Sequence, residues 1–173
     1  MSDLNQTPAG ERVRIAFFGR RNAGKSSLLN AIAGQPVSIV SDVPGTTADP
    51  VRKAMELLPL GPVVIIDTPG LDDSGLVGEM RVKKAKEELA RTDIAVLIVD
   101  AAEGLKERDR DLIGEFEDRK LPYIIVWNKA DLLKSRREPA ANEIYVSALT
   151  GEGIPELRAG LAGKLCCFTG NSG

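Results

Sequence analysis

An α/β domain, its mostly parallel sheet covered by helices on both faces, is the fold these 173 residues predict. Three observations lead there. Short apolar runs alternate along the chain with segments of helical period. Two of those runs, 63–66 and 94–99, are continuously apolar, as strands covered on both faces are. Residues 19–26 read Gly-Arg-Arg-Asn-Ala-Gly-Lys-Ser, a glycine-rich turn set between a strand-like run and a helical one.

Residues 1–11 are polar and are expected to form a flexible leader. The body of the domain is expected over 12–165. Its first strand covers about 13–18 and its first helix 25–33, ended by Gly34. Residues 35–50 carry three prolines and no helical period, so a long loop is expected, and a loop of that length is either functional or disordered. A strand follows at 51–58, a turn at 59–62 and a second strand at 63–66. Residues 68–78 hold several glycines and a proline and are expected to be mobile. Helix two covers roughly 79–91 with the alternating charge of an exposed surface helix. The strand at 94–99 precedes an amphipathic helix at 107–119, with Leu112, Ile113 and Phe116 at helical spacing. Strands are expected at 123–127 and 143–146. Pro155 suits the first position of a last helix that ends near Leu165, and disorder is expected over 166–173.

The pattern G-x-x-x-x-G-K-S between strand and helix is a phosphate-binding loop. Gly19, Arg20, Arg21, Asn22, Ala23, Gly24, Lys25, Ser26 and Ser27 are its candidate phosphate-binding residues. Backbone N–H groups of the loop and of the helix start converge on one anion. Lys25 supplies an ammonium to the β- and γ-phosphates, and the Ser26 hydroxyl suits Mg²⁺.

Every other polar motif also follows the carboxyl end of an apolar strand, the edge where ligands bind in open α/β sheets. Asp67, Thr68, Pro69 and Gly70 follow 63–66. Asp67 suits Mg²⁺, and the Gly70 N–H suits the γ-phosphate. Alone, D-x-x-G is weak; forty-odd residues after a phosphate loop it is strong. Asn128, Lys129, Ala130 and Asp131 follow 123–127. A fixed Asp131 carboxylate accepts from guanine N1–H and the 2-amino group. Adenine offers neither donor and strands the charge, at a cost of roughly a few kcal/mol. Lys129 is placed along the base, and Ser147, Ala148 and Leu149 offer a backbone N–H to guanine O6. Together these motifs call for GTP or GDP as the ligand.

Composition excludes other chemistries. Histidine is absent, so no imidazole base or metal ligand exists. Cys166 and Cys167 are too few for a disulfide framework or a four-ligand metal site. No apolar run is long enough to span a bilayer, and the polar start lacks a signal-peptide core, so no membrane partner and a cytoplasmic location are expected. A net charge of −2 gives no electrostatic case for non-specific nucleic-acid binding, and no nucleic-acid partner is expected.

Over about 12–165 the sequence resembles the TRAFAC-class GTPases of the Era/TrmE-like group. The resemblance implies a P-loop G domain with a six-stranded sheet, one strand antiparallel (51–58), and five helices. Residues 132–142 are short for the usual fourth helix, and no full helix is expected there. The family's switch threonine, a Mg²⁺ ligand, falls in the loop holding Thr46 and Thr47, and alignment on Ala48-Asp49 favours Thr47. Three runs, 41–51, 53–62 and 70–82, are similar to the HydF-like GTPases that help to mature [FeFe]-hydrogenase. That resemblance implies an isolated N-terminal domain whose parent carries dimerisation and iron–sulfur domains downstream. It also implies radical-SAM maturases and the hydrogenase as partners, a possible homodimer, and no iron–sulfur cluster in this stretch.

Leu71 stands where many GTPases carry the glutamine that orients the attacking water. In TrmE-like relatives a Glu twelve residues after the D-x-x-G Asp serves instead, which here is Glu79. Glu79 is either that residue or a solvated charge favouring a helix start. Asn22 either holds a K⁺ ion, as the resemblance implies, or braces the loop. Arg20 and Arg21 either supply positive charge or are solvated. Three functions follow: a slow Mg²⁺-dependent GTPase gating a maturation scaffold, a binding switch with incidental hydrolysis, or a tRNA-modification or ribosome-assembly GTPase.

Overall fold

The computed structural model describes residues 14–20, 22–33, 39–41, 52–57, 61–67 and 76–170. The elements run β1 (Ile15–Gly19), α1 (Lys25–Ala33), β2 (Ile39–Ser41), β3 (Arg52–Leu57), β4 (Gly61–Asp67), α2 (Leu76–Leu89) and β5 (Ile94–Asp100). They continue with α3 (Glu107–Asp118), β6 (Tyr123–Asn128), β7 (Glu143–Tyr145) and α4 (Ile154–Gly170). One sheet holds all seven strands, in the order β2-β3-β4-β1-β5-β6-β7. The pairs β4–β1, β1–β5, β5–β6 and β6–β7 are parallel, and β2–β3 and β3–β4 are antiparallel.

The alternation of side chains along the central strands divides the core in two. Ile15 and Phe17 of β1 join Val96 and Ile98 of β5 against Leu28, Leu29 and Ile32 of α1 and Leu157 and Leu161 of α4. Ala16 and Phe18 point the other way, with Leu97 and Val99, onto Ala85 and Leu89 of α2 and Leu112 and Phe116 of α3. Burying each large side chain contributes about 2 kcal/mol. The two cores hold β1 and β5 fully buried, which sets the strand ends rigidly at one edge.

Four expectations need correction. Six strands were expected and seven are described, because Ile39–Ser41, inside the expected loop, pairs with β3 as an edge strand. Helix two opens at Leu76 rather than at Glu79, so Glu79 lies within its first turn. β4 opens at Gly61 inside the expected turn; Pro62 fits because it pairs only with β3, and pairing to β1 starts at Val63. α4 continues to Gly170, so residues 166–170 are helical where disorder was expected. The segment after β6 holds only a 3₁₀ turn, Ala130–Leu132, in place of a full helix, as its length implied. Residues 1–13 and 171–173 lie outside the described residues. No described helix is long and apolar enough to cross a membrane.

Candidate functional site

β1, β4, β5 and β6 deliver polar residues to one edge. In register, Gly19 stands beside Asp67 on one side and Ile98 on the other, and Asp100 stands beside Asn128. A Cβ on Gly19 would lie 2.8 Å from the Ile98 carbonyl oxygen, a backbone atom that has nowhere to go. Gly24 has φ +89° and a Cβ there would meet Asn128 Nδ2 at 2.5 Å. The two glycines are thus required for different reasons: one by strand contact, the other by backbone angle and by a side chain from β6.

Lys25, 5 % exposed, opens α1 and lies inside the loop. Its ammonium donates to the carbonyls of Gly19 at 2.7 Å and Arg20 at 2.9 Å, which keeps the buried charge solvated by dipoles. Ser26 and Ser27 are exposed in the first turn of α1, Asn22 is exposed and Ala23 buried. Ser26 offers a hydroxyl in the first turn of α1, and the backbone of β4 ends with Asp67 at the same edge. Arg21, Thr46, Thr47, Thr68, Pro69, Gly70 and Leu71 lie outside the described residues.

Asn128 braces the site from within the cleft. Its Nδ2 donates to the Ala23 carbonyl at 2.9 Å, and its Oδ1 accepts from the Ala148 N–H at 3.2 Å. It therefore ties the phosphate loop to the 147–149 loop. Lys129 sits at φ +62°, a left-handed turn that carries its stem across the phosphate loop. Its ammonium donates to the Asn22 carbonyl at 2.8 Å and to Asp100 Oδ2 at 3.0 Å. Asp131 Oδ1 accepts the Ser147 hydroxyl at 2.7 Å, and Ser147 Oγ accepts the Thr150 N–H at 3.1 Å. A cleft of ≈ 230 Å³ is lined by Gly24 and Ser27 together with Asn128, Lys129, Asp131, Leu132, Ser147, Ala148 and Leu149. The predicted base-reading residues and part of the phosphate loop therefore face one space.

Arg20 is not solvated: its guanidinium pairs with Glu103 at 3.1 Å and Asp109 at 3.7 Å, so its charge is committed to the start of α3. Glu79 is exposed and lines the groove between α2 and α3 with Lys86 and Arg108, outside the cleft.

Sequence reasoning missed Asp100. It ends β5 at the same edge as Asp67 and Asn128, so the edge rule had singled it out in principle. Burial raises its carboxyl, but the Lys129 hydrogen bond and the N–H groups of Ala102 and Glu103 outweigh burial and hold it below the ordinary value. Asp109 was missed too. Burial pushes it up against the pull of the Lys106 N–H and Arg20, and its Oδ1 has no hydrogen-bond partner.

Residues 14–129 match the family model described as 50S ribosome-binding GTPase. The tRNA modification GTPase MnmE of Nitrosomonas europaea is 40% identical over 158 residues, covering 87% of this chain and 34% of that protein. The GTPase Der of Thermomicrobium roseum is 36% identical over 171 residues, covering 86% of this chain and 37% of that protein. The chain therefore spans about a third of the length of these relatives. Among solved structures, a variant of Aquifex aeolicus Era bound to GDP·AlF4− superposes with a TM-score of 0.60 at 29% identity, covering 86% of this chain and 56% of that one. Another, Era in complex with MgGDPNP and a segment of 16S ribosomal RNA, gives 0.61 at 29% identity, covering 87% and 56%.

Proposed function

This chain belongs to the 50S ribosome-binding GTPase family, as a G domain of the Era/TrmE-like group in the TRAFAC class, and we propose that it binds GTP in preference to ATP and hydrolyses it to GDP and phosphate. One observation carries the proposal: Asp131, its Oδ1 fixed by the Ser147 hydroxyl, lines the same cleft as Gly24 and Ser27 of the phosphate loop. A purine in that cleft meets a positioned carboxylate, while its phosphates reach the loop N–H groups, Lys25 and the Gly70 N–H. Ser26, Thr47 and Asp67 supply the oxygen donors for Mg²⁺, which neutralises phosphate charge when bound. Titration calorimetry with Mg²⁺ is expected to show GTP bound and ATP not. Asp131→Asn is expected to lose roughly a hundredfold in GTP affinity and to gain affinity for XTP, whose 2-oxo group accepts from an amide. Equal affinity for GTP and ATP would sink the proposal.

Glu79 orients the attacking water, and Asn22 helps to hold K⁺ beside the β- and γ-phosphates. The spacing from Asp67 and the apolar Leu71 support the first role, and the exposed Asn22 in the loop supports the second. Glu79→Ala is expected to keep GTP affinity and lose turnover; hydrolysis at the parent rate removes that role. Turnover is expected to be faster in K⁺ than in Na⁺, and equal rates remove the other.

For the role of the protein, the tRNA-modification or ribosome-assembly reading is favoured, since similarity runs to MnmE, Der and Era. The runs at 41–51, 53–62 and 70–82 favour a second reading, a HydF-like scaffold for the [FeFe]-hydrogenase cluster. Retention of tRNA or ribosomal RNA by the full-length protein supports the first. Iron–sulfur absorbance and co-purification with the radical-SAM maturases support the second.

A further inference from the structure

Residues 133–142, where a helix is absent, run as an exposed strap carrying two adjacent arginines with different duties. Arg137 lies over the Trp127 ring at 5.6 Å and pairs with Glu143, which also accepts from Trp127 Nε1. Arg136 lies over the Tyr145 ring at 5.6 Å but reaches the other way. Its Nη2 donates to the Ala130 carbonyl at 3.0 Å, and both terminal nitrogens donate to the Glu152 carboxylate, a two-pronged pair.

These two contacts fall on opposite halves of the base-reading site. Ala130 immediately precedes Asp131 and is buried, and its N–H is held by the Val146 carbonyl at 3.0 Å. Its carbonyl also accepts the Leu133 N–H at 3.1 Å, closing the 3₁₀ turn that contains Asp131. On the other half, the Glu152 carbonyl accepts the Ser147 N–H at 2.9 Å, and Ser147 is the residue whose hydroxyl fixes Asp131. Asp131 is also among the charges that raise the Arg136 guanidinium, after the Glu152 hydrogen bond as the main cause.

We propose that Arg136 is a specificity-positioning residue: by joining the Ala130 carbonyl to the Glu152 carboxylate it sets the Asp131 carboxylate against Ser147 and so sharpens recognition of the guanine 2-amino group. This rests on the guanine-binding reading above. Arg136 touches no nucleotide itself; it acts through Asp131 and Ser147. The strap thus supplies, with one side chain, the stiffness that a helix after β6 would give by packing.

The test compares release of GDP and of IDP, whose base lacks the 2-amino group, from the parent protein and from Arg136→Ala, Glu152→Ala, the double variant and Arg137→Ala. The parent must first prefer GDP to ADP; if it does not, the guanine reading fails and not this inference alone. Given that preference, Arg136→Ala is expected to release GDP roughly fivefold faster and IDP much less so, lowering the GDP-to-IDP affinity ratio. Glu152→Ala is expected to do the same, and the double variant no more than either single change, because the two form one unit. Arg137→Ala is expected to change only the fluorescence of Trp127, the single tryptophan. Arg136→Lys keeps the charge but not the fork, and is expected to show the same lowered ratio. A parental ratio in Arg136→Ala or Arg136→Lys, equal weakening of GDP and IDP, or an equal effect from Arg137→Ala would overturn the proposal.

Discussion

Asp100 shows how much of this site is made by contacts among the protein's own polar groups. Its carboxylate holds Lys129 over the phosphate loop, and its own hydrogen bonds keep it charged despite burial. The lowered folded-state value gives the protein stability that is fully present above the ordinary carboxylate value and is lost as the pH falls through the folded value. Asp100→Asn is therefore expected to cost about 1 kcal/mol at neutral pH, discounted for the partly exposed Lys129. In strong acid the variant and parent are expected to converge; urea melts at neutral and acid pH check both limbs. Asp67 and the base-reading Asp131 were legible in the sequence because each sits in a short motif with a known spacing. Asp100, Asp109 and Arg136 sit in no such motif, and their ion pairs with Lys129, Arg20 and Glu152 join residues far apart in the chain.

At the scale of elements, α1 is held at both ends by different parts of the chain. Its first residue, Lys25, belongs to the phosphate loop, while near its other end Arg158 of α4 donates to the Ala31 and Ile32 carbonyls. Those carbonyls are among the last four of the helix and have no partner within it. Arg158→Ala is expected to lower stability by about 1 kcal/mol and the melting temperature by about 3 °C, with GDP affinity unchanged. Calorimetric melting and GDP titration of the same sample check it; a fall in affinity would show that the far end of α1 also shapes the loop. Helix and strand positions were legible wherever the local signal was strong, as in the helical run of α1 and the continuous apolar run of β5. The short edge strand β2 carries no such period, since its pairing with β3 defines it. The start of α2 was displaced because Leu76, Val77 and Gly78 follow a glycine-rich stretch that local pattern assigns to a loop.

For the whole molecule, the cleft gathers side chains from the phosphate loop, the end of β6 and the loop after β7, so a ligand there ties together segments far apart in sequence. GDP at a hundred times its dissociation constant is expected to add about 2.7 kcal/mol of stability. The melting temperature should rise by roughly 5–10 °C, and ADP at the same concentration should leave it in place; thermal melts with the two nucleotides check this. The amino-acid sequence by itself determined the order of strands and helices apart from β2, the phosphate loop and the residue types proposed to read guanine. Those are properties of neighbouring residues, where glycine freedom, apolar period and motif spacing act over a few positions. Tertiary structure alone decided that Asn128 braces Ala23, that Arg20 is spent on α3, and that Arg136 bridges Ala130 and Glu152. Each of these depends on which distant polar group the packed sheet brings within about 3 Å, and no local rule carries that distance.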